Sequence, residues 1–145
     1  MKDSREQTVI VLIDDEPEVL SALRRSLRNE PYEVLSTSRP GEALRWVESL
    51  DVGAVVSDER MPEMKGTDLL ARVSERSPAT ARILLTSYAV ETARRPRLGE
   101  SIECMIAKPW DETMLRATIR ELLWNREPED PLKDIFGGSG EWDPG

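Results

Sequence analysis

Histidine is absent from this 145-residue sequence, and cysteine occurs once, at Cys104. Without an imidazole, the chain has no histidine for acid–base catalysis, for metal ligation or for donating a phosphoryl group. A zinc site is not expected, because zinc sites combine several cysteine or histidine ligands. A lone cysteine cannot form an internal disulfide, which favours a reducing, cytoplasmic setting.

Long apolar runs and excess positive charge are also missing. The longest apolar run, Val9–Ile13, is far shorter than the ~20 residues of a membrane-spanning helix. Residues 1–7 are polar and lack the apolar segment of a secretory signal. A net charge of −8 gives no general attraction to nucleic acid or to anionic membranes. We therefore expect neither direct nucleic-acid binding nor membrane association.

Short apolar segments alternate with segments of helical spacing. Strands are predicted at Thr8–Ile13, Tyr32–Ser36, Gly53–Ser57, Arg82–Leu85 and Glu103–Ala107. Apolar stripes predict helices around residues 19–27, 43–50, 69–73 and 115–123. This alternation predicts an α/β fold: a doubly wound, five-stranded parallel sheet of order 2-1-3-4-5 in a flavodoxin-like three-layer sandwich.

The domain is expected to span residues 7–125. A further helix, the fourth of five, should lie near Val90–Leu98, but Pro96 would shorten or kink it. Residues 126–145 contain three prolines, four glycines and six acidic residues against two basic ones. We expect this acidic tail to be disordered.

Chemically active side chains follow the predicted strands. Asp14 and Asp15 come after the first strand, Asp58 after the third, Thr86 after the fourth and Lys108 after the fifth. In a doubly wound sheet these carboxyl ends meet at one edge, where ligands bind. Converging carboxylates favour a hard cation such as Mg²⁺. No glycine-rich phosphate loop is present, so a phosphoryl group is expected to be accepted covalently by a carboxylate.

Four motifs occur in register: Leu12–Pro17 (LIDDEP), Val56–Pro62 (VSDERMP), Leu85–Ser87 (LTS) and Lys108–Trp110 (KPW). Together they resemble the CheY-like receiver domain of two-component response regulators, over about residues 7–125. The resemblance implies a cytoplasmic signalling domain that is phosphorylated by a histidine kinase or a phosphotransfer protein. It also implies slow autodephosphorylation rather than a dedicated enzyme activity, and a cis peptide between Lys108 and Pro109.

The resemblance assigns roles to individual residues. Asp58 would be the phosphoacceptor, with Thr86 and Lys108 contacting the phosphoryl oxygens. Mg²⁺ would be held by Asp14, Asp15, Asp58 and the backbone carbonyl of Arg60.

The sequence departs from the family pattern in three places. Met105 stands where the family usually has an aromatic switch residue, so Met105 and Tyr88 are the switch candidates. Arg60 places a large cation beside the pocket, and Pro96 disturbs part of the usual signalling face. These departures bear on the output of the switch more than on the chemistry of the acceptor.

Simpler interpretations exist for individual residues. Asp14 and Asp15 could be turn and helix-cap residues. Cys104 is expected to be a small buried hydrophobic residue, and Met105 to fill the core. Trp110 and Trp124 are expected to pack the last helix.

Several functions stay open. Output would be contact with an unknown downstream protein, by a monomer or a phosphorylation-dependent homodimer, or the chain is a fragment of a longer regulator. A constitutive binding scaffold with a damaged switch is the second hypothesis. A Mg²⁺-dependent phosphatase is the third, although Asp14-Asp15-Glu16 lacks the DxD spacing of such enzymes.

Overall fold

A computed structural model describes residues 7–87 and 101–126. Its strands are β1 (Thr8–Ile13), β2 (Tyr32–Thr37), β3 (Val52–Asp58), β4 (Ala81–Thr86) and β5 (Cys104–Ala107). Its helices are α1 (Pro17–Ser26), α2 (Pro40–Ser49), α3 (Gly66–Arg76) and α4 (Glu112–Asn125). The helix predicted at Val90–Leu98 and the predicted tail beyond residue 126 lie outside the described residues.

Local sequence explains where α1, α2 and α4 begin. Pro17 and Pro40 stand at the first turns of α1 and α2, where a proline needs no hydrogen-bond partner for its nitrogen. Helix α4 has a side-chain cap, because Asp111 accepts a hydrogen bond from the Met114 backbone N–H at 2.9 Å. The predicted strands begin and end within one residue of those observed, whereas each observed helix begins two or three residues before its predicted apolar stripe.

All five strands are parallel, and their order is β2-β1-β3-β4-β5. The predicted fold and strand order are confirmed. Apolar residues cover both faces of the sheet, as expected for strands buried between two helical layers. One face packs against α2 and α3, through residues such as Val47, Leu69 and Val73. The other packs against α1 and α4, through residues such as Leu23 and Leu115.

Trp110 and Trp124 were both predicted to pack the last helix, and only Trp110 is partly buried against the core. Trp110 packs against the core shared by α1 and α4. Trp124, by contrast, is 77% exposed, so the prediction that it packs the last helix is wrong. Leu115 and Ile119 define the buried side of α4, and residue 124 lies well off that side at 100° per residue. Within residues 7–87 and 101–126, no helix is long and apolar enough to cross a membrane.

Candidate functional site

The strand ends bring the predicted site residues to one edge of the sheet. Asp14 directly follows β1, and Asp58 is the last residue of β3. Strands β1 and β3 are neighbours, with Ile13 paired to Ser57. Thr86 ends β4 and is paired with Ala107, which precedes Lys108. The sheet therefore brings acids, a hydroxyl and a base to one edge from four strands.

Lys108 joins two of the carboxylates. Its Nζ donates to Asp58 Oδ1 at 2.9 Å and to Asp14 Oδ2 at 3.1 Å. The side chain of Asp14 is 1% exposed, that of Asp58 9% and that of Lys108 19%. This ion-paired group is largely shielded from water, so its electrostatic interactions are stronger than those of a surface pair.

Asp15 adds a third carboxylate, on the solvent side. Oxygens of Asp14, Asp15 and Asp58 all lie within 4.8 Å of one another, and Asp15 itself is exposed. One ammonium does not balance three carboxylates at this separation. A hard divalent cation would balance them, and carboxylate oxygens are the ligands that Mg²⁺ prefers. The donor set of this cluster therefore fits Mg²⁺.

Burial and neighbouring charges change the pKa values of Asp14 and Lys108. Burial raises the pKa of Asp14, and the nearby charge of Asp58 raises it further; the Glu16 N–H and Lys108 oppose this without cancelling it. Burial alone would lower the pKa of Lys108, but the hydrogen bonds and charges of Asp58 and Asp14 outweigh it. The pKa of Lys108 is therefore raised. The raised pKa of Asp14 shows that burial, together with the charge of Asp58, outweighs the stabilisation of its carboxylate by Lys108.

Backbone contacts hold the two sides of the pocket. The Asp14 N–H donates to the Thr37 carbonyl at 3.3 Å, and the Glu16 N–H donates to Asp14 Oδ1 at 2.9 Å. The Lys108 N–H donates to the Thr86 carbonyl at 2.9 Å. The peptide between Lys108 and Pro109 is cis, as expected.

The remaining predicted site residues lie at other positions around this edge of the sheet or in the neighbouring core. Thr86 is buried at 4% exposure at the same sheet edge, and Arg60 is exposed, two positions after Asp58. Met105 is half-buried and packs against the core on the α2 and α3 side, as expected for a core-filling residue. Cys104 is half-buried against the opposite core. Tyr88 lies outside the described residues.

Two residues near the pocket were not identified from the sequence. A Cβ atom at Gly66 would overlap the backbone carbonyl of Asp58, so only glycine lets α3 begin this close to the end of β3. Glu59 follows Asp58 directly, and its Oε1 accepts a hydrogen bond from the Thr67 N–H at 2.9 Å. The preceding Lys65 gives α3 no side-chain cap, so Glu59 acts as the cap from a distance. No local sequence signal identifies either role.

Comparisons with known proteins show which family the chain resembles. Residues 10–120 match the family model of the response regulator receiver domain. The chain is 35% identical over 139 residues to the hydrogenase transcriptional regulatory protein HoxA of Bradyrhizobium diazoefficiens, covering 92% of this chain and 28% of HoxA. It therefore spans less than a third of the length of that relative.

Solved structures show the same similarity. The signal receiver domain of an HD domain-containing protein from Pseudomonas fluorescens Pf-5 superposes with a TM-score of 0.75 at 30% identity. That match covers 83% of this chain and 89% of the other. A CheY-like receiver domain protein from Methanospirillum hungatei JF-1 gives 0.74 at 28% identity, covering 86% and 99%.

Proposed function

The chain belongs to the response regulator receiver family, and on this premise we propose that Asp58 accepts a phosphoryl group from a histidine kinase or a phosphotransfer protein. The observation that carries the proposal is the placement of Lys108 Nζ, 2.9 Å from Asp58 and 3.1 Å from Asp14. A lysine held against two carboxylates, beside a third, suits the transfer of an anionic group more than any purely structural role.

The proposed chemistry uses the carboxylate of Asp58 as the nucleophile. One of its oxygens attacks phosphorus, the bond from phosphorus to the donor's histidine nitrogen breaks, and an acyl phosphate forms on Asp58. Lys108 then neutralises charge on the phosphoryl oxygens, and the Thr86 hydroxyl donates a hydrogen bond to them. The protein mainly positions the reacting groups.

The acidic cluster would hold Mg²⁺ through Asp14, Asp15, Asp58 and the backbone carbonyl of Arg60. When bound, this ion supplies charge neutralisation for the phosphoryl oxygens. The fit of the cluster to an oxygen-preferring cation supports this assignment.

The proposed output is protein–protein contact in the cytoplasm. Phosphorylation would shift a two-state equilibrium, and the domain would act as a monomer or a phosphorylation-dependent homodimer. Slow autodephosphorylation by the chain itself would reset the signal. Met105 and Tyr88 are the proposed switch residues.

Phosphorylation is tested with Mg²⁺ and acetyl phosphate, followed by intact-protein mass spectrometry. We expect the wild-type mass to rise by one phosphoryl group and Asp58→Asn to stay unmodified. Asp68→Asn, which removes an exposed acid in the first turn of α3, is the matched control and should be modified like the wild type. A wild-type chain that stays unmodified would overturn the proposal.

A binding scaffold insensitive to phosphorylation is the second candidate, favoured by the flexible methionine at position 105, which packs in the core in place of an aromatic ring. Partner affinity measured with and without a beryllofluoride mimic separates the two candidates. A change in affinity supports the switch, and an unchanged affinity supports the scaffold.

A further inference from the structure

Helix α1 and the loop after Lys108 are joined through one buried serine. Ser26 ends α1 and is 2% exposed. Its hydroxyl accepts a hydrogen bond from Trp110 Nε1 at 3.0 Å and donates one to Glu112 Oε2 at 3.0 Å. Its backbone carbonyl accepts a hydrogen bond from Arg116 Nη1 at 2.9 Å. We refer to Ser26, Trp110, Glu112 and Arg116 as the Ser26 junction.

The junction connects two of the chain segments that form the acidic pocket, the one after β1 and the one after β5. Asp14 leads into α1, whose last residue is Ser26, and Lys108 leads into the loop that carries Trp110. On the sheet side, the Lys108 N–H is already held by the Thr86 carbonyl. On the other side, the hydrogen bond between Trp110 and Ser26 ties the loop after Lys108 to α1.

We propose that the hydrogen bond from Trp110 to Ser26 positions Lys108 for phosphoryl transfer, which makes Trp110 and Ser26 positioning residues of the pocket. This inference rests on the proposed function. Neither side chain touches the reacting atoms; both act through the backbone that carries Lys108.

Flexibility explains why such a contact is needed. Lysine carries its charge on a flexible four-carbon stem with about 2 kcal/mol of rotamer entropy. The position of its ammonium therefore depends strongly on how firmly its backbone is held. Displacements of about 1 Å can slow a positioned reaction by about a hundredfold. Holding the backbone both at Lys108 and at Trp110 restricts the places that Nζ can reach.

The details of the junction favour a specific contact over simple filling of space. A phenylalanine could fill the core at position 110, but it has no N–H to donate. The hydroxyl of Ser26 is oriented by its own donation to Glu112, which leaves a lone pair for the Trp110 ring. Arg116 fixes the backbone of Ser26 in addition.

The test compares initial rates of phosphorylation by acetyl phosphate with saturating Mg²⁺. Trp110→Phe removes the donor, Ser26→Ala removes the acceptor, and the double variant removes both. We expect each single variant to react about fivefold more slowly, as the loss of one neutral hydrogen bond predicts. The double variant should be no slower than the single ones, because both remove the same contact. Trp46→Phe and Ser49→Ala, both in α2 on the opposite face, should react at the wild-type rate.

The outcomes separate the contact from the proposed function. If the wild type is phosphorylated and both single variants match it, the positioning role is overturned while the acceptor assignment stands. If the wild type is not phosphorylated, the proposed function is overturned.

A second readout decides the positioning role without phosphorylation. It is the coupling between Trp110→Phe and Lys108→Met in the free energy of unfolding, from a double-mutant cycle in urea. A loss from Trp110→Phe that shrinks when Lys108 is already methionine supports the proposal. Strict additivity, the result expected of a merely structural contact, overturns it.

Discussion

Replacing Lys108 with methionine should destabilise the fold, and the loss should depend on pH. Two unit charges 4 Å apart interact by about 4 kcal/mol at an effective dielectric constant of about 20. Removing one partner of a buried pair costs about 3–5 kcal/mol. The side chain of Lys108 is 19% exposed and Asp15 faces solvent, so we expect a smaller loss of about 2–3 kcal/mol near pH 8.

The pH dependence comes from Asp14. Its pKa is raised in the folded state by burial and by Asp58. An acid whose pKa is higher in the folded than in the unfolded state stabilises the fold at pH values below its unfolded pKa, which is about 3.9 for aspartate. This contribution to stability is lost as pH rises through the folded pKa. Lys108 lowers the pKa of Asp14, so its removal raises that pKa further. The deficit of Lys108→Met should therefore shrink as pH falls through this raised pKa.

Urea unfolding without Mg²⁺, at about pH 8 and about pH 5, measures this deficit. Adding Asp14→Asn to Lys108→Met should restore much of the lost stability, since the neutral amide removes the uncompensated buried charge. Lys65→Met, which removes an exposed lysine at the start of α3, is the control and should be nearly neutral. A deficit of equal size at both pH values, or no rescue by Asp14→Asn, would refute the reasoning.

Three further predictions concern the metal, the approach of α3 and one ion pair. Millimolar Mg²⁺ should raise the thermal unfolding midpoint of the wild type but raise that of Asp58→Asn less, because ligand binding to the folded state stabilises it. Gly66→Ala should destabilise the fold by about 2–3 kcal/mol in urea because its Cβ meets the Asp58 carbonyl, whereas Gly41→Ala, whose Cβ meets nothing within 4 Å, should not. The hydrogen bond from Arg120 lowers the pKa of Glu30, so this pair stabilises the fold above the unfolded pKa of about 4.3, and its contribution is lost as pH falls through the folded pKa. Glu30→Gln should therefore lower the free energy of unfolding at neutral pH but not in acid. A loss of stability that persists in acid would contradict this.

The positions of the strand ends could be predicted because they depend only on local sequence and on the geometry of a parallel sheet. Buried parallel strands such as Val52–Asp58 appear as continuous apolar runs, and their carboxyl ends must share one edge. An acid or a lysine directly after such a run is therefore placed without knowing any tertiary contact. The sequence alone therefore predicts that Asp14, Asp58 and Lys108 lie close together.

The contacts that shape the pocket from outside the strands were not predictable. Ser26 and Trp110 are 84 positions apart, and Glu59 caps α3 across an intervening turn. Such contacts depend on how helices sit on the sheet, which periodicity does not specify. Trp124 shows the same limit, because apolar character alone did not reveal that it faces away from the core.

The most direct test of the central assignment is to locate the phosphoryl group within the chain. After reaction with acetyl phosphate and Mg²⁺, borohydride reduction converts an aspartyl phosphate to homoserine, and peptide mass spectrometry then identifies the modified position. We predict modification at Asp58 alone. Modification at Asp14 or Asp15 instead, with Asp58 unchanged, would contradict the account.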